Sequence, residues 1–103
     1  MSGADAAISP GSPWVRATVI RVDGANALMD VGDWFEVRGS RLVIPDGKAI
    51  CPLAFAAVVP VIGMRQVDLP ADNWLARKPY ICSADAEENI VMRIDAVPVG
   101  ARS

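Results

Sequence analysis

The 103-residue chain predicts a small α+β domain, with an antiparallel sheet of four or five strands packed on one proline-interrupted apolar helix. Three observations carry this expectation. Residues 90–97 alternate cleanly, with Ile90, Met92, Ile94 and Ala96 on one face and Val91, Arg93, Asp95 and Val97 on the other. Residues 14–22 and 34–38 are β-rich with partial alternation. Residues 48–66 place Leu53, Ala57, Val61 and Met64 on one helical face, and short turns flank that segment on both sides.

In chain order, residues 14–22 set Arg16 and Thr18 opposite Val15, Ala17 and Val19. The alternation slips at Val19-Ile20, as at a bulge or a strand buried on both faces. Asp23-Gly24-Ala25-Asn26 is turn chemistry. In 34–38 Phe35 and Val37 share one face, and Glu36 and Arg38 the other. Gly39-Ser40 supplies a tight turn into a returning strand at 42–44. Cys51 stands just before Pro52, and proline suits the first helical position because its missing N–H has no intrahelical partner there. Phe55, Val58, Val59 and Ile62 make that helix apolar all round, which predicts burial inside the domain or between subunits. Pro60 is expected to kink or divide it. Residues 67–79 read as loop, with Asp72-Asn73 capping a short turn that holds Trp74 and Leu75; 80–83 reads as a short strand and 84–89 as an acidic turn. The expected organisation is a disordered tail over 1–13, one domain over 14–97 and a second tail over 98–103.

Composition narrows function by exclusion. The chain is 52% apolar and 21% charged, with net charge −2, a sequence pI near 4.9 and mean hydropathy +0.30. That balance argues against nucleic acid, which needs a basic face. There is no histidine, so Ser-His-Asp and Cys-His catalysis and His-ligated metal sites are excluded. No phosphate loop or dinucleotide fingerprint is present, and no organic cofactor is expected. Zinc prefers four ligands with a paired-cysteine spacing that this sequence lacks, so no metal is expected either. Residues 1–13 lack a basic start and an apolar run, and the longest uncharged stretch, 49–64, is too short to span a bilayer. The expectation is a cytoplasmic protein without membrane contact, its thiols reduced.

The stretches V-G-D-W-F-E-V (31–37), G-K-A-I-C-P-L-A-F (47–55), Pro60, C-S-A-D (82–85) and V-M-R-I-D-A-V (91–97) together resemble a conserved-hypothetical family of short bacterial proteins. Its mark is a V-G-D-x-F strand followed by G-x-C-P-W-A, a proline in the helix, and a second cysteine near an aspartate. The resemblance spans about residues 14–97. It implies a small stand-alone domain and supplies no activity to carry over. Cys51, Pro52, Pro60, Cys82 and Asp85 match its motif positions, whereas Leu53 stands where the family has tryptophan.

Cys51 is the sharpest chemical candidate. A cysteine at a helix N-terminus faces free N–H groups and the positive end of the macrodipole, which favour the thiolate; the alternative is a thiol packed as a small hydrophobe. Asp33 or Asp85 is the candidate helper, if burial raises its pKa enough for acid/base work; the alternative is a solvated turn. Trp34, Phe55, Trp74, Tyr80 and Cys82 are candidate substrate-binding residues, the aromatics as walls of a pocket or simply as core. Arg77 and Lys78 either hold an anionic ligand beside Trp74 or are solvated.

Three functions follow. One is a cofactor-independent enzyme of isomerase, lyase or cyclase type, using Cys51 on a small, partly apolar molecule. Another is a non-catalytic oligomeric interaction protein built on the apolar helix. A thiol redox or sulfur-carrier protein using Cys51 and Cys82 together is the third, and it requires the two to meet. Homo-oligomerisation is expected whichever holds, because a small domain carries an all-round apolar helix.

Overall fold

The structure, a computed structural model, describes residues 8–24, 28–83 and 87–102. The strands are β1 (Ile8–Ser9), β2 (Trp14–Arg21), β3 (Trp34–Arg38), β4 (Arg41–Val43), β5 (Leu69–Pro70), β6 (Tyr80–Cys82) and β7 (Val91–Ala96). The helices are α1 (Pro52–Arg65) and α2 (Trp74–Arg77), and a 3₁₀ turn follows at Val99–Ala101. Five strands form one antiparallel sheet in the order β4-β3-β2-β7-β6, and β1 and β5 form a separate two-stranded ribbon. With one main helix on this sheet, the fold is α+β.

The sheet follows from the alternation. On its inner face Val15, Ala17 and Val19 of β2, Phe35 of β3, and Met92 and Ile94 of β7 are buried and meet Ala54, Val58 and Ile62 of α1. The ladder between β2 and β7 shifts register between Val19 and Arg21, so the slip in alternation at Val19-Ile20 is a bulge. The β3–β4 hairpin closes through Gly39 and Ser40; Gly39 has φ +67°, the left-handed region that glycine enters without Cβ strain. α1 begins with Pro52 directly after the N-cap Cys51, as the sequence predicts.

The expected tails are corrected, and the expectations for α1 are met in part. The tail expected through residue 13 gives way at Ile8, where β1 pairs with β5. Gly11 then runs against the chain at Val67, with a Cβ there only 2.1 Å from the Val67 carbonyl carbon, so no larger residue fits. Ser12 is buried, donating its N–H to the Arg65 carbonyl at 3.1 Å and its hydroxyl to the Val97 carbonyl at 2.7 Å. The C-terminal tail docks too, because the Arg102 guanidinium donates to Ser12 Oγ at 2.6 Å and stacks on the Trp14 ring at 4.2 Å. Of the two effects expected of Pro60, a kink or a division, division does not occur, because α1 runs from Pro52 to Arg65 with Pro60 inside it. Within the single chain α1 is not covered on all sides, since Leu53 and Val59 are 44% and 47% exposed, so of the two burials expected for this helix the one inside the domain is incomplete.

The outer sheet face is built differently. Register places Arg16 beside Glu36 and Asp95, Trp14 beside Arg38, and Thr18 beside Trp34 and Arg93. Arg16 lies over the Trp34 ring and Arg38 over the Trp14 ring, each at 4.1 Å. Between them Glu36, 1% exposed, accepts from Arg16 at Oε2 and from Arg38 at Oε1 (2.8 Å). The strand's polar side thus becomes a stack of arginine, tryptophan and carboxylate.

Candidate functional site

The sites proposed from sequence converge only in part. One end of the sheet gathers the start of α1, the turn before β3, and the turn between β6 and β7. Cys51 caps α1 with an extended backbone and no side-chain cap bond; its carbonyl accepts the Phe55 N–H at 3.0 Å. It is 6% exposed and packs with the core, so access to its sulfur is narrow. Its thiol donates to Glu88 Oε2 at 3.9 Å.

Backbone bonding sets Glu88 in that place. The N–H groups of Asp23 and Gly24 donate to the Glu88 carbonyl at 2.8 and 3.3 Å, and Asn89 Nδ2 donates to Asp23 Oδ2 at 2.7 Å. On the other side Ser83 and Ile90 exchange backbone and hydroxyl hydrogen bonds, which close the turn. Hydrogen bonds from Asn89 and Arg21 hold the Asp23 carboxyl below its ordinary range. Glu88 is therefore the carboxylate beside the thiol, a role for which the sequence offers Asp33 or Asp85.

Asp33 serves the neighbouring turn instead. Its Oδ2 accepts the Asp30 N–H at 3.0 Å, its Oδ1 lies 3.3 Å from Lys48 Nζ, and its carbonyl accepts the Val19 N–H at 2.8 Å. The Asp30 N–H and Lys48 outweigh its partial burial and hold its pKa below the ordinary value, opposite to the raised pKa a general acid needs. It is a turn staple. Lys48, three residues before Cys51, is thus paired with Asp33. Asp85 lies outside the described residues.

The candidate binding residues are dispersed. Phe55 sits on α1 against Phe35, ring centroids 5.7 Å apart and planes at 60°, as part of the packing beneath the sheet. Trp34 is under Arg16 on the outer face. Tyr80 and Cys82 pair with Arg93 and Val91 on that same outer face, and both are exposed. Cys51 belongs to the inner packing, so the two cysteines lie on opposite faces of the sheet and both are free thiols. The redox pair that needs them together is not assembled. Trp74 stands apart on α2, 53% exposed, lining a cavity with Arg77 and Lys78. Cys51 is not among the described residues that line this cavity.

Among the described residues, no three His, Cys, Asp or Glu side chains converge in a way that could hold a metal ion, and no helix is long and apolar enough to cross a membrane. No family model, curated protein or solved structure matches the chain.

The feature that periodicity alone did not isolate is the outward seam of α1. Pro52, Leu53, Ala56, Val59, Pro60 and Gly63 are all exposed, and the helix carries no charge before Arg65. The signal was present as the missing polar stripe of an amphipathic helix.

Proposed function

We propose that this chain is a self-associating interaction protein whose α1 packs against α1 of a second copy. The observation that carries the reading is the exposed, uncharged face of α1. Soluble monomers seldom leave such a stripe open to water, and an uncharged stripe offers a charged partner nothing to select. A second copy fits it by spacing. The central line of the face is Pro52, Ala56, Val59 and Gly63, with intervals of four, three and four residues. That series reads the same from either end. An antiparallel copy therefore sets Ala56 against the second copy's Val59, and Pro52 against the second copy's Gly63, small opposite large. This is the isologous arrangement of a two-fold dimer. An added Cβ at Gly63 meets nothing within 4 Å in the single chain, so a facing side chain has room to enter. Antiparallel helix dipoles favour the same orientation. Cys51, Pro52 and Pro60, motif positions of the resemblance drawn from the sequence, all lie in or beside this helix. Sedimentation velocity on Val59→Glu and Leu53→Lys tests it. Both variants should sediment as monomers while the unaltered chain does not; an unaltered chain that is itself monomeric overturns the reading.

One observation favours a second reading, thiol chemistry at Cys51: the contact of its thiol with the Glu88 carboxylate. In that reading Glu88 Oε2 takes the thiol proton, the thiolate adds to the electrophilic carbon of a polarised double bond in a small, partly apolar molecule, and the broken π pair moves to the far atom, which takes the proton back from Glu88. Alkylation of the folded protein, read by mass spectrometry, tests it. Cys51 should react before unfolding, and Glu88→Gln should slow it about a hundredfold, the low end of the usual range for loss of a base. A Cys51 that stays inert until the chain unfolds is a packing thiol.

A further inference from the structure

We propose that the cavity at α2 is a binding site for a small aromatic anion, independent of the assembly through α1. The cavity has a volume of about 230 Å³ and is lined by Trp74, Arg77 and Lys78. The segment beneath it is firmly held. Leu75 is 0% exposed, and Asn73 Oδ1 accepts the Leu75 N–H at 2.9 Å. The backbone is bonded onward from Asn73 N–H to the Pro70 carbonyl, Arg77 N–H to the Asn73 carbonyl, and Lys78 N–H to the Trp74 carbonyl. What this scaffold holds outward is an indole, a guanidinium and an ammonium that the fold does not use.

Comparison with the other cations sharpens the point. Arg16 and Arg38 are paired with Glu36, Arg21 with Asp23, Lys48 with Asp33 and Arg93 with Asp95. Arg102 is stacked on Trp14 and bonded to Ser12, while Arg41 on the edge strand β4, like the α2 pair, has no carboxylate within ion-pair distance among the described residues. Arg77 and Lys78 have no carboxylate within ion-pair distance among the described residues, although the chain as a whole carries net charge −2. Both are adjacent to the most exposed tryptophan ring that the structure describes. Trp14 and Trp34 each have a guanidinium over the face, whereas among the described residues no cation covers Trp74. An open aromatic face beside two unpaired cations is complementary to a planar ring bearing a negative group. Size sets the limit: a cavity of about 150 Å³ holds benzene, so this one takes a single ring with one carboxylate, and its open side admits a longer substituent.

Benzoate is the probe, with benzamide as its neutral counterpart. The Trp74 indole N–H resonance, assigned by its loss in Trp74→Phe, is followed by NMR on the full chain. Benzoate should shift it saturably with Kd in the millimolar range, and benzamide should bind several-fold more weakly. The double variant Arg77→Gln/Lys78→Gln should weaken benzoate roughly tenfold, two exposed charge contacts together, and added salt should weaken it in the unaltered chain. Both side chains are exposed, so the double variant should keep the unaltered indole spectrum elsewhere and its cooperative unfolding. A non-saturating shift, equal affinity for benzamide, or unchanged benzoate affinity in the double variant overturns the proposal.

Discussion

The outer face of the sheet and the outer face of α1 both carry bulky apolar groups toward water, and the molecule finishes them in different ways. On the sheet, Trp14 and Trp34 lie under Arg38, Arg102 and Arg16, and the two strand arginines converge on Glu36. The guanidinium planes cover the indoles while their outer edges stay wet, so the chain roofs that surface itself. On the helix, Leu53, Ala56, Val59, Pro60 and Gly63 face outward with no long polar side chain among them to fold over. A surface covered from within needs no partner; one left bare calls for another molecule. The contrast teaches that apolar exposure is informative only after asking what the sequence supplies to cover it.

The comparison can be broken first at Glu36. Removing a carboxylate buried between two arginines leaves both cations without their acceptor. Glu36→Ala should cost about 3 kcal/mol, the low end for a broken buried pair because the arginines can turn to water. Urea unfolding measures it, and a loss under about 1 kcal/mol would reduce the stack to surface decoration. Acid sharpens the same point. Burial pushes the Glu36 pKa up, but hydrogen bonds from Arg38 and Arg16 outweigh it and hold the carboxyl below its usual 4.5. A depressed native pKa means that the contribution is complete above the unfolded value and is lost as pH falls through the native one. Stability should therefore decline below about pH 4.5, and Glu36→Gln should flatten that decline. Asp33, also held low, adds a smaller part in the same direction.

A finer cut is Arg16→Lys, which keeps the charge but loses the planar guanidinium over Trp34. About 1 kcal/mol should go, and the near-ultraviolet signal of the tryptophans should change. On the helix the pattern reverses. Val59→Glu should alter folding stability by less than about 0.5 kcal/mol, as an exposed substitution does, yet abolish association. If it unfolds the monomer instead, Val59 packs within its own chain and the contrast between the surfaces fails.

Much of the fold was legible because its signals are local. The slip at Val19-Ile20 marked the bulge, Pro52 after Cys51 marked the helix start, Asn73 marked the cap of α2, and strict alternation marked β7. The site was less legible because its contacts join distant residues. Glu88 meets Cys51 across 37 positions, and bonds from Asp23 and Gly24 to the Glu88 carbonyl help hold that turn in place. Trp34 read as a pocket wall because the register that sets Arg16 between Trp34 and Glu36 is a property of paired strands, not of either strand alone. Asp33 read as a turn residue or an acid, and the Asp30 N–H and Lys48 that hold its carboxyl low place it with the first. The docking of residues 8–12 turned on Gly11, whose lack of a side chain lets the chain touch Val67.

The most direct measurement is the solution mass of the unaltered chain by light scattering across a concentration series. The antiparallel pairing of α1 predicts a mass near twice the chain's 10.9 kDa, falling to one chain mass on dilution or in Val59→Glu. A mass of 10.9 kDa at every concentration would contradict it, and the bare face of α1 would have no second copy to cover it.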